Sequence, residues 1–159
     1  MTLPVLAGRP FPRIPLPDLE GTSRSLVEAA PGSRTLVAVG HSDCGTTRLV
    51  LPYLQRMWER RRTGTEVVLV LQDAADAARA LLAELGLELP VRLEPDPYPL
   101  SRELGLTTVP TLLLVGPEGL IERASEGFQR ADIEGLAARL GVPAPFFLAG
   151  DAAPALRPG

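Results

Sequence analysis

The sequence predicts a single α/β domain built around a central mixed β-sheet flanked by helices. Short apolar runs rich in β-branched residues alternate with longer amphipathic segments, in the order strand, helix, strand, helix. That order is typical of parallel strands joined by a right-handed crossover. A third apolar run is followed by a tight turn and a returning strand. We therefore expect a βαβ unit followed by a ββα unit, and 159 residues are enough for one such domain.

The first half of the chain supplies the βαβ unit. Its two apolar runs are typical of strands buried on both faces, and the segment between them places apolar side chains at three- and four-residue spacing. The predicted elements are strands at 35–40 and 66–71, a helix at 46–62, a helix at 74–85 capped by Gly86, and a short strand at 91–93.

The second half supplies the ββα unit, and a turn at 17–22 predicts an N-terminal hairpin extension. The predicted elements are a short helix at 100–104, strands at 108–115 and 120–125, and a helix at 130–140. From Gly141 onward the composition shifts to Pro, Ala and Gly. We therefore divide the chain into a domain at 1–141 and a tail without regular structure at 142–159, and expect the Phe146-Phe147 pair to dock on the domain.

Composition excludes several classes of function. The net charge of −3 gives no electrostatic footprint for nucleic acid, and no apolar run is long enough to cross a bilayer. The N-terminus lacks the features of a signal peptide, so we expect a cytoplasmic protein without membrane contact. One Cys and one His, His41, allow neither an internal disulfide nor a dense metal cluster, and we expect no metal or cofactor.

The lone cysteine, Cys44, falls between the first core strand and the helix that follows it. At such a position the free N–H groups and the positive end of the helix dipole favour thiolate over thiol. Ligand sites in open α/β sheets also lie at the carboxyl ends of strands. Cys44 is therefore a candidate nucleophile, and the alternative is a buried small hydrophobic residue.

Four segments resemble a known superfamily. Residues 36–48 resemble a strand, loop and helix start that normally read Trp-Cys-x-x-Cys, and Pro52 stands where a proline kinks that helix. Residues 108–111 resemble a loop whose proline is cis, and 17–26 resemble an N-terminal hairpin. This pattern, spread over residues 8–141, is similar to the thioredoxin-like superfamily, most closely its TlpA/AhpC-type thiol-disulfide oxidoreductases. The resemblance implies a thioredoxin fold with a cis Val109–Pro110 bond.

The resemblance also implies roles for individual residues. Cys44 matches the nucleophile, Pro110 the proline packed against it, and Thr47 stands in place of the second, resolving cysteine. The implied substrate-binding residues are Gly45, Thr46, Val109 and Thr111. With one cysteine, a mixed disulfide must be resolved by an external thiol. The implied partners are protein thiols or disulfides, or a low-molecular-weight thiol, in cell redox homeostasis.

Neighbouring residues are candidates for tuning the thiol. An adjacent carboxylate, Asp43, opposes thiolate formation, whereas the helix end and Arg48 favour it. His41 either acts on Cys44 as a charge or base, or packs in the loop. Thr47 either donates a hydrogen bond to the sulfur or caps the helix. Ala38 stands where many thioredoxins keep a buried acid.

Two other functions stay open. The missing second cysteine, tryptophan and buried acid favour a redox-inactive thioredoxin-fold module that binds proteins. A one-cysteine peroxidase resembling the peroxiredoxins is the third hypothesis, although His41 occupies the position of their threonine. The sequence indicates neither a specific substrate nor an oligomeric state.

Overall fold

A computed structural model describes residues 5–26 and 33–159 and contains a five-stranded mixed sheet with two small two-stranded sheets beside it. The described strands are β1 (Leu16–Pro17), β2 (Ser23–Arg24), β3 (Arg34–Gly40), β4 (Thr65–Leu71), β5 (Val91–Leu93), β6 (Thr111–Val115), β7 (Ile121–Glu126), β8 (Phe128–Gln129) and β9 (Leu156–Arg157). The described helices are α1 (Gly45–Arg60), α2 (Ala75–Leu85), α3 (Pro99–Leu104) and α4 (Arg130–Arg139). None of these helices is both long and apolar enough to span a membrane.

The main sheet has the strand order β5-β4-β3-β6-β7. β3, β4 and β5 run parallel, whereas β6 is antiparallel to both β3 and β7, so the βαβ and ββα units join at the β3–β6 pair. β1 and β2 form the expected N-terminal hairpin. The predicted strand at 108–115 begins only at Thr111, because Pro110 has no N–H to donate to a ladder.

The central strand β3 separates two hydrophobic cores. Its side chains alternate, so that Leu36 enters the core beneath α1, α2 and α4 while Val37 enters the opposite core. Both are fully buried, as expected for a strand covered on both faces. Because helices and loops cover both faces, β3 is fixed in position, and so is the loop at its carboxyl end.

Helix α1 begins directly after that loop and buries one face against the sheet. Its apolar face includes Val50, Leu54 and Met57, and Pro52 lies within the helix as expected. The helix ends at Arg60, two residues before the predicted end, because Arg61 is in an extended conformation (φ −62°, ψ 152°). Arg60 in the last turn suits the negative end of the helix dipole.

The C-terminal segment packs on the domain. Phe147 is 8% exposed, and its ring centroid lies 5.0 Å from that of Tyr53, which confirms that the aromatic pair docks on the domain. Arg56 donates two hydrogen bonds to the Asp151 carboxylate, at 2.7 and 3.0 Å. The expectation that the tail has no regular structure is wrong at β9, which pairs antiparallel with β8. The domain boundary at residue 141 stays a prediction.

Candidate functional site

Cys44 is the N-cap residue of α1, at the carboxyl end of β3. Its backbone is extended (φ −90°, ψ 117°), and its sulfur accepts a hydrogen bond from the Thr47 N–H at 3.4 Å. The thiol also faces the Val109 carbonyl oxygen at 3.5 Å. The cysteine is partly exposed. The thiol therefore lies between a helix N-terminus and the loop before β6, within reach of solvent.

The surroundings of Cys44 favour the thiolate. Burial by itself would raise the pKa of the thiol, but four contributions together outweigh it and lower the pKa below its ordinary value. These are hydrogen bonding to the Thr47 side chain, the backbone N–H groups of Thr47 and Thr46, and the charge of Arg157. Helix-end donors and a nearby cation are the features that activate cysteines in proteins.

Thr47 is fully buried beside the thiol. Its hydroxyl oxygen accepts a hydrogen bond from the His41 N–H at 3.3 Å, so one side chain links the loop to the helix. The helix N-cap is Cys44, which excludes the expected capping role of Thr47. Gly40 is required for this packing, because a Cβ there would lie 2.6 Å from Thr47 Cγ2.

The loop before Cys44 is held by a residue that the sequence analysis did not single out, Asp73. This carboxylate is 6% exposed and accepts hydrogen bonds from the Ser42 N–H at 3.0 Å and the Ser42 hydroxyl at 2.5 Å. Asp73 follows β4, whose end is adjacent to that of β3 in the sheet. The sequence signal that could have identified Asp73 is a polar residue soon after a buried strand.

His41 belongs to the same loop network. Its Nδ1 accepts a hydrogen bond from the Asp43 N–H at 3.1 Å and lies 3.8 Å from Asp73 Oδ1. The ring is 30% exposed. Through these contacts His41 packs within the loop. The buried charged group nearest to its ring is Asp73.

The two charged neighbours of Cys44, Asp43 and Arg48, make their described contacts with other groups. The Asp43 side chain is 92% exposed, so water screens its charge. Arg48 donates to the Ser42 carbonyl at 2.8 Å and pairs with Glu84 on α2. The cation that lowers the pKa of the Cys44 thiol is Arg157, from the C-terminal tail.

The loop before β6 forms the other wall of the site. The Val109–Pro110 peptide bond is cis, as the resemblance implied. The Pro110 carbonyl accepts a hydrogen bond from the Gly127 N–H at 2.8 Å, which ties the loop to the end of β7. Thr111 is 1% exposed and its hydroxyl donates to the Thr108 carbonyl at 2.7 Å, so this side chain faces the protein interior rather than a substrate.

The C-terminal tail lies across the residues expected to bind substrate. The Thr46 hydroxyl donates to the Pro158 carbonyl at 2.6 Å. A Cβ on Gly45 would lie 2.7 Å from a guanidinium nitrogen of Arg157, and a Cβ on Gly159 would collide with the Val109 carbonyl oxygen. Tail residues therefore contact Gly45, Thr46 and Val109 simultaneously, an arrangement that no sequence pattern indicated.

By sequence, no protein-family model and no curated protein matches the chain. Solved structures do match. A protein from Chlorobium tepidum assigned as the thiol:disulfide interchange protein DsbE is 26% identical with a TM-score of 0.74, over 87% of this chain and 96% of that one. The thioredoxin domain of a thiol-disulfide oxidoreductase from Bacteroides vulgatus is 22% identical with a TM-score of 0.73, over 88% and 100%.

A third structure, StoA from Bacillus subtilis, is 20% identical with a TM-score of 0.66, over 80% of this chain and 96% of that one. The chain therefore has a thioredoxin fold and is similar in structure to solved thiol-disulfide oxidoreductases, and it carries Cys44-x-x-Thr47 where the resemblance expects Cys-x-x-Cys.

Proposed function

We propose that this protein is a thiol-disulfide oxidoreductase that acts through one nucleophilic cysteine, Cys44. The observation that carries the proposal is the position of the sulfur at the N-cap of α1, with the Thr47 N–H at 3.4 Å and the pKa of the thiol lowered. The thiolate is the nucleophile in disulfide exchange, and a partly exposed thiolate is available to a substrate.

The exchange proceeds in two displacements. The Cys44 thiolate attacks one sulfur of a substrate disulfide, forms a mixed disulfide and expels the other sulfur as a thiolate. Because Thr47 carries no sulfur, an external thiol supplies the second nucleophile. That thiol, as its thiolate, attacks the substrate sulfur of the mixed disulfide, forms a new disulfide and releases Cys44 as a thiolate. The reaction exchanges thiol partners and requires no cofactor.

The resolving thiol comes from a protein or from a low-molecular-weight thiol. We propose a cytoplasmic role in redox homeostasis, because the thiol pool of that compartment is kept reduced and would supply the second nucleophile. The hydrogen bonds that Cys44 accepts from α1 also stabilise it as the leaving group when the mixed disulfide is resolved.

The pH dependence of Cys44 alkylation by iodoacetamide tests the proposal. The rate follows the thiolate fraction, so it rises with pH and levels off above the pKa of the thiol. Because that pKa is lowered, the plateau is expected at a lower pH than for a free cysteine. Exchange with 2-hydroxyethyl disulfide, in the presence of a small thiol, is expected to follow the same profile. The Cys44→Ser variant is the control and is expected to be inactive in both assays.

An alkylation profile like that of free cysteine, without exchange for any thiol donor, would contradict this function. That result would favour the redox-inactive module, which uses the same surface only to bind proteins. Exchange that persists in Cys44→Ser would instead show that the activity comes from a contaminant.

A further inference from the structure

The tail segment, residues 156–159, contacts both walls of the thiol site. On the helix side, Pro158 accepts the hydrogen bond from Thr46, and the Arg157 guanidinium lies against Gly45. On the loop side, Gly159 packs so closely on the Val109 carbonyl that no side chain fits there. The Val109 carbonyl is the group that faces the sulfur of Cys44. The tail segment thus bridges the two walls between which the thiol lies.

The tail segment also occupies the backbone hydrogen-bonding groups with which an added extended polypeptide would have to pair. β9 pairs with β8 as an antiparallel strand, and the Arg130 N–H donates to the Ala155 carbonyl at 3.0 Å. Gly127 is in close contact with the same segment, because a Cβ there would lie 2.7 Å from the Arg157 carbonyl oxygen. A substrate strand added at this edge would compete with the tail for the same partners.

The tail segment is held more lightly than the residues that precede it. Leu156, Arg157, Pro158 and Gly159 are all exposed, and Leu156 keeps 62% of its surface in solvent. By contrast, the hydrogen-bonded ion pair with Arg56 lowers the pKa of Asp151 to about 2 and anchors the tail upstream. The tail is therefore firmly attached before residue 152, whereas its last residues rest on a few hydrogen bonds.

A cavity lies beside the tail segment, between it and the loop before β6. This cavity of about 370 Å³ is lined by the tail residues Leu156, Pro158 and Gly159, and by Thr108 and Glu126 on the loop side. One carboxylate oxygen of Glu126 is buried without a hydrogen-bond donor among the described residues. The cavity therefore lies next to the loop that faces Cys44.

From these contacts we infer that the tail segment is a specificity element that restricts Cys44 to low-molecular-weight disulfides and thiols and excludes extended polypeptides. The inference rests on the proposed function and names its substrate class. A protein disulfide can react only in the fraction of molecules whose tail segment has left the site, and its apparent rate falls by that fraction.

Two variants and a matched control test the inference in the 159-residue chain. The first removes residues 156–159. The second, Gly159→Ala, adds a methyl group that would collide with the Val109 carbonyl, and the control, Gly135→Ala, adds the same methyl group where nothing lies within 4 Å. Circular dichroism checks that each variant is folded.

The first measurement is alkylation of Cys44 by N-ethylmaleimide and by a maleimide carried on a long polyethylene glycol chain. The ratio of the two rates cancels any change in the thiolate fraction when Arg157 is removed. In the parent chain and in Gly135→Ala the bulky reagent is expected to react much more slowly. In the truncated chain its relative rate should rise about tenfold, since only a few hydrogen bonds hold the tail segment over the site. Gly159→Ala should give a smaller rise in the same direction.

The second measurement compares exchange with 2-hydroxyethyl disulfide and with insulin, whose disulfides belong to polypeptides. Truncation is expected to accelerate the insulin reaction selectively. An unchanged bulky-to-small alkylation ratio in the truncated chain would overturn the specificity role, even if exchange activity is present. If no variant exchanges any disulfide while the alkylation ratio rises as expected, the proposed function fails and the covering role of the tail stands. The two failures are therefore distinguishable.

Discussion

At the scale of single residues, Thr47 defines how this site differs from a two-cysteine one. It occupies the position of the resolving thiol, yet its hydroxyl lowers the pKa of Cys44 while accepting a hydrogen bond from His41. In the proposed mechanism, the residue that stands in place of the resolving thiol thus supports the nucleophile. The Thr47 hydroxyl favours the Cys44 thiolate together with the backbone N–H groups at the start of α1.

The Thr47→Val variant tests that dependence because valine keeps the shape of threonine and removes only the hydroxyl. We expect a higher pKa for Cys44 and alkylation at neutral pH that is about fivefold slower, which corresponds to about 1 kcal/mol for one hydrogen bond. The measurement is the iodoacetamide rate as a function of pH.

Thr65→Val is the matched control, since Thr65 is also a buried threonine with a hydrogen-bonded hydroxyl but lies at the start of β4. Its alkylation profile should equal that of the parent chain. A Thr47→Val profile that also matches the parent chain would show that the hydroxyl does not act on the thiol.

At the scale of elements, the site is assembled from the carboxyl ends of two adjacent parallel strands. The loop after β3 carries Ser42 and Cys44. Asp73, two residues beyond the end of β4, fixes that loop through two hydrogen bonds. Because the carboxylate is 6% exposed, leaving it without partners would be costly. The position of the thiol is therefore set partly by a strand that does not carry it.

Replacing Asp73 with Asn should weaken this link. An amide offers one acceptor oxygen where the carboxylate offers two, so one Ser42 donor would face an N–H₂ group. We expect a loss of about 1–3 kcal/mol in the free energy of unfolding, measured by urea denaturation. Faster hydrogen exchange at the amides of 41–44 should accompany it.

Asp43→Asn is the control within the same loop, because that side chain is 92% exposed and should change stability by less than about 0.5 kcal/mol. If Asp73→Asn is as stable as Asp43→Asn, the buried hydrogen bonds do not hold the loop. A Ser42→Ala change added to Asp73→Asn should cost less than the sum of the two, since both act on one contact.

At the scale of the whole molecule, the C-terminal tail packs aromatic side chains into the core of the domain. Phe146 and Phe147 are buried in the core beneath α1 and α4, with ring centroids 5.1 Å apart. The Phe147 ring also lies under the Arg130 guanidinium, 4.4 Å from its centre. Burial of these rings anchors the chain that then returns to Cys44.

Phe147→Ala should therefore destabilise the entire domain. We expect a loss of about 3 kcal/mol in the free energy of unfolding, at the low end for a buried phenylalanine because the tail can partly collapse onto the space left behind. Urea denaturation followed by far-ultraviolet circular dichroism measures the change.

The neighbouring Leu148→Ala change provides the comparison, because Leu148 is 41% exposed and should cost little. Equal stability of the two variants would mean that the tail is energetically separate, and would support a domain that ends at residue 141. Removing residues 156–159 alone should lower the unfolding free energy by only about 1.4 kcal/mol, the equivalent of the tenfold shift expected when the tail segment is absent.

Much of the fold was predictable from local patterns. Residue type and spacing predict the strand–helix alternation, the Gly86 cap and the position of Pro52. The structure contains each of them. The predicted start of the strand at 108 differs from the structure, where β6 begins at Thr111, because Pro110 cannot donate to a strand ladder.

The sequence by itself determined that a single cysteine stands at a strand–helix junction and that no second cysteine accompanies it. It did so because backbone periodicity and helix-end chemistry depend on neighbours along the chain. Only the tertiary structure decided which distant groups meet that thiol: Val109, Asp73 through the loop, and Arg157 from the tail. These contacts join residues from 29 to 113 positions away from Cys44 along the chain, and such pairings follow from sheet order and core packing, which no local pattern specifies.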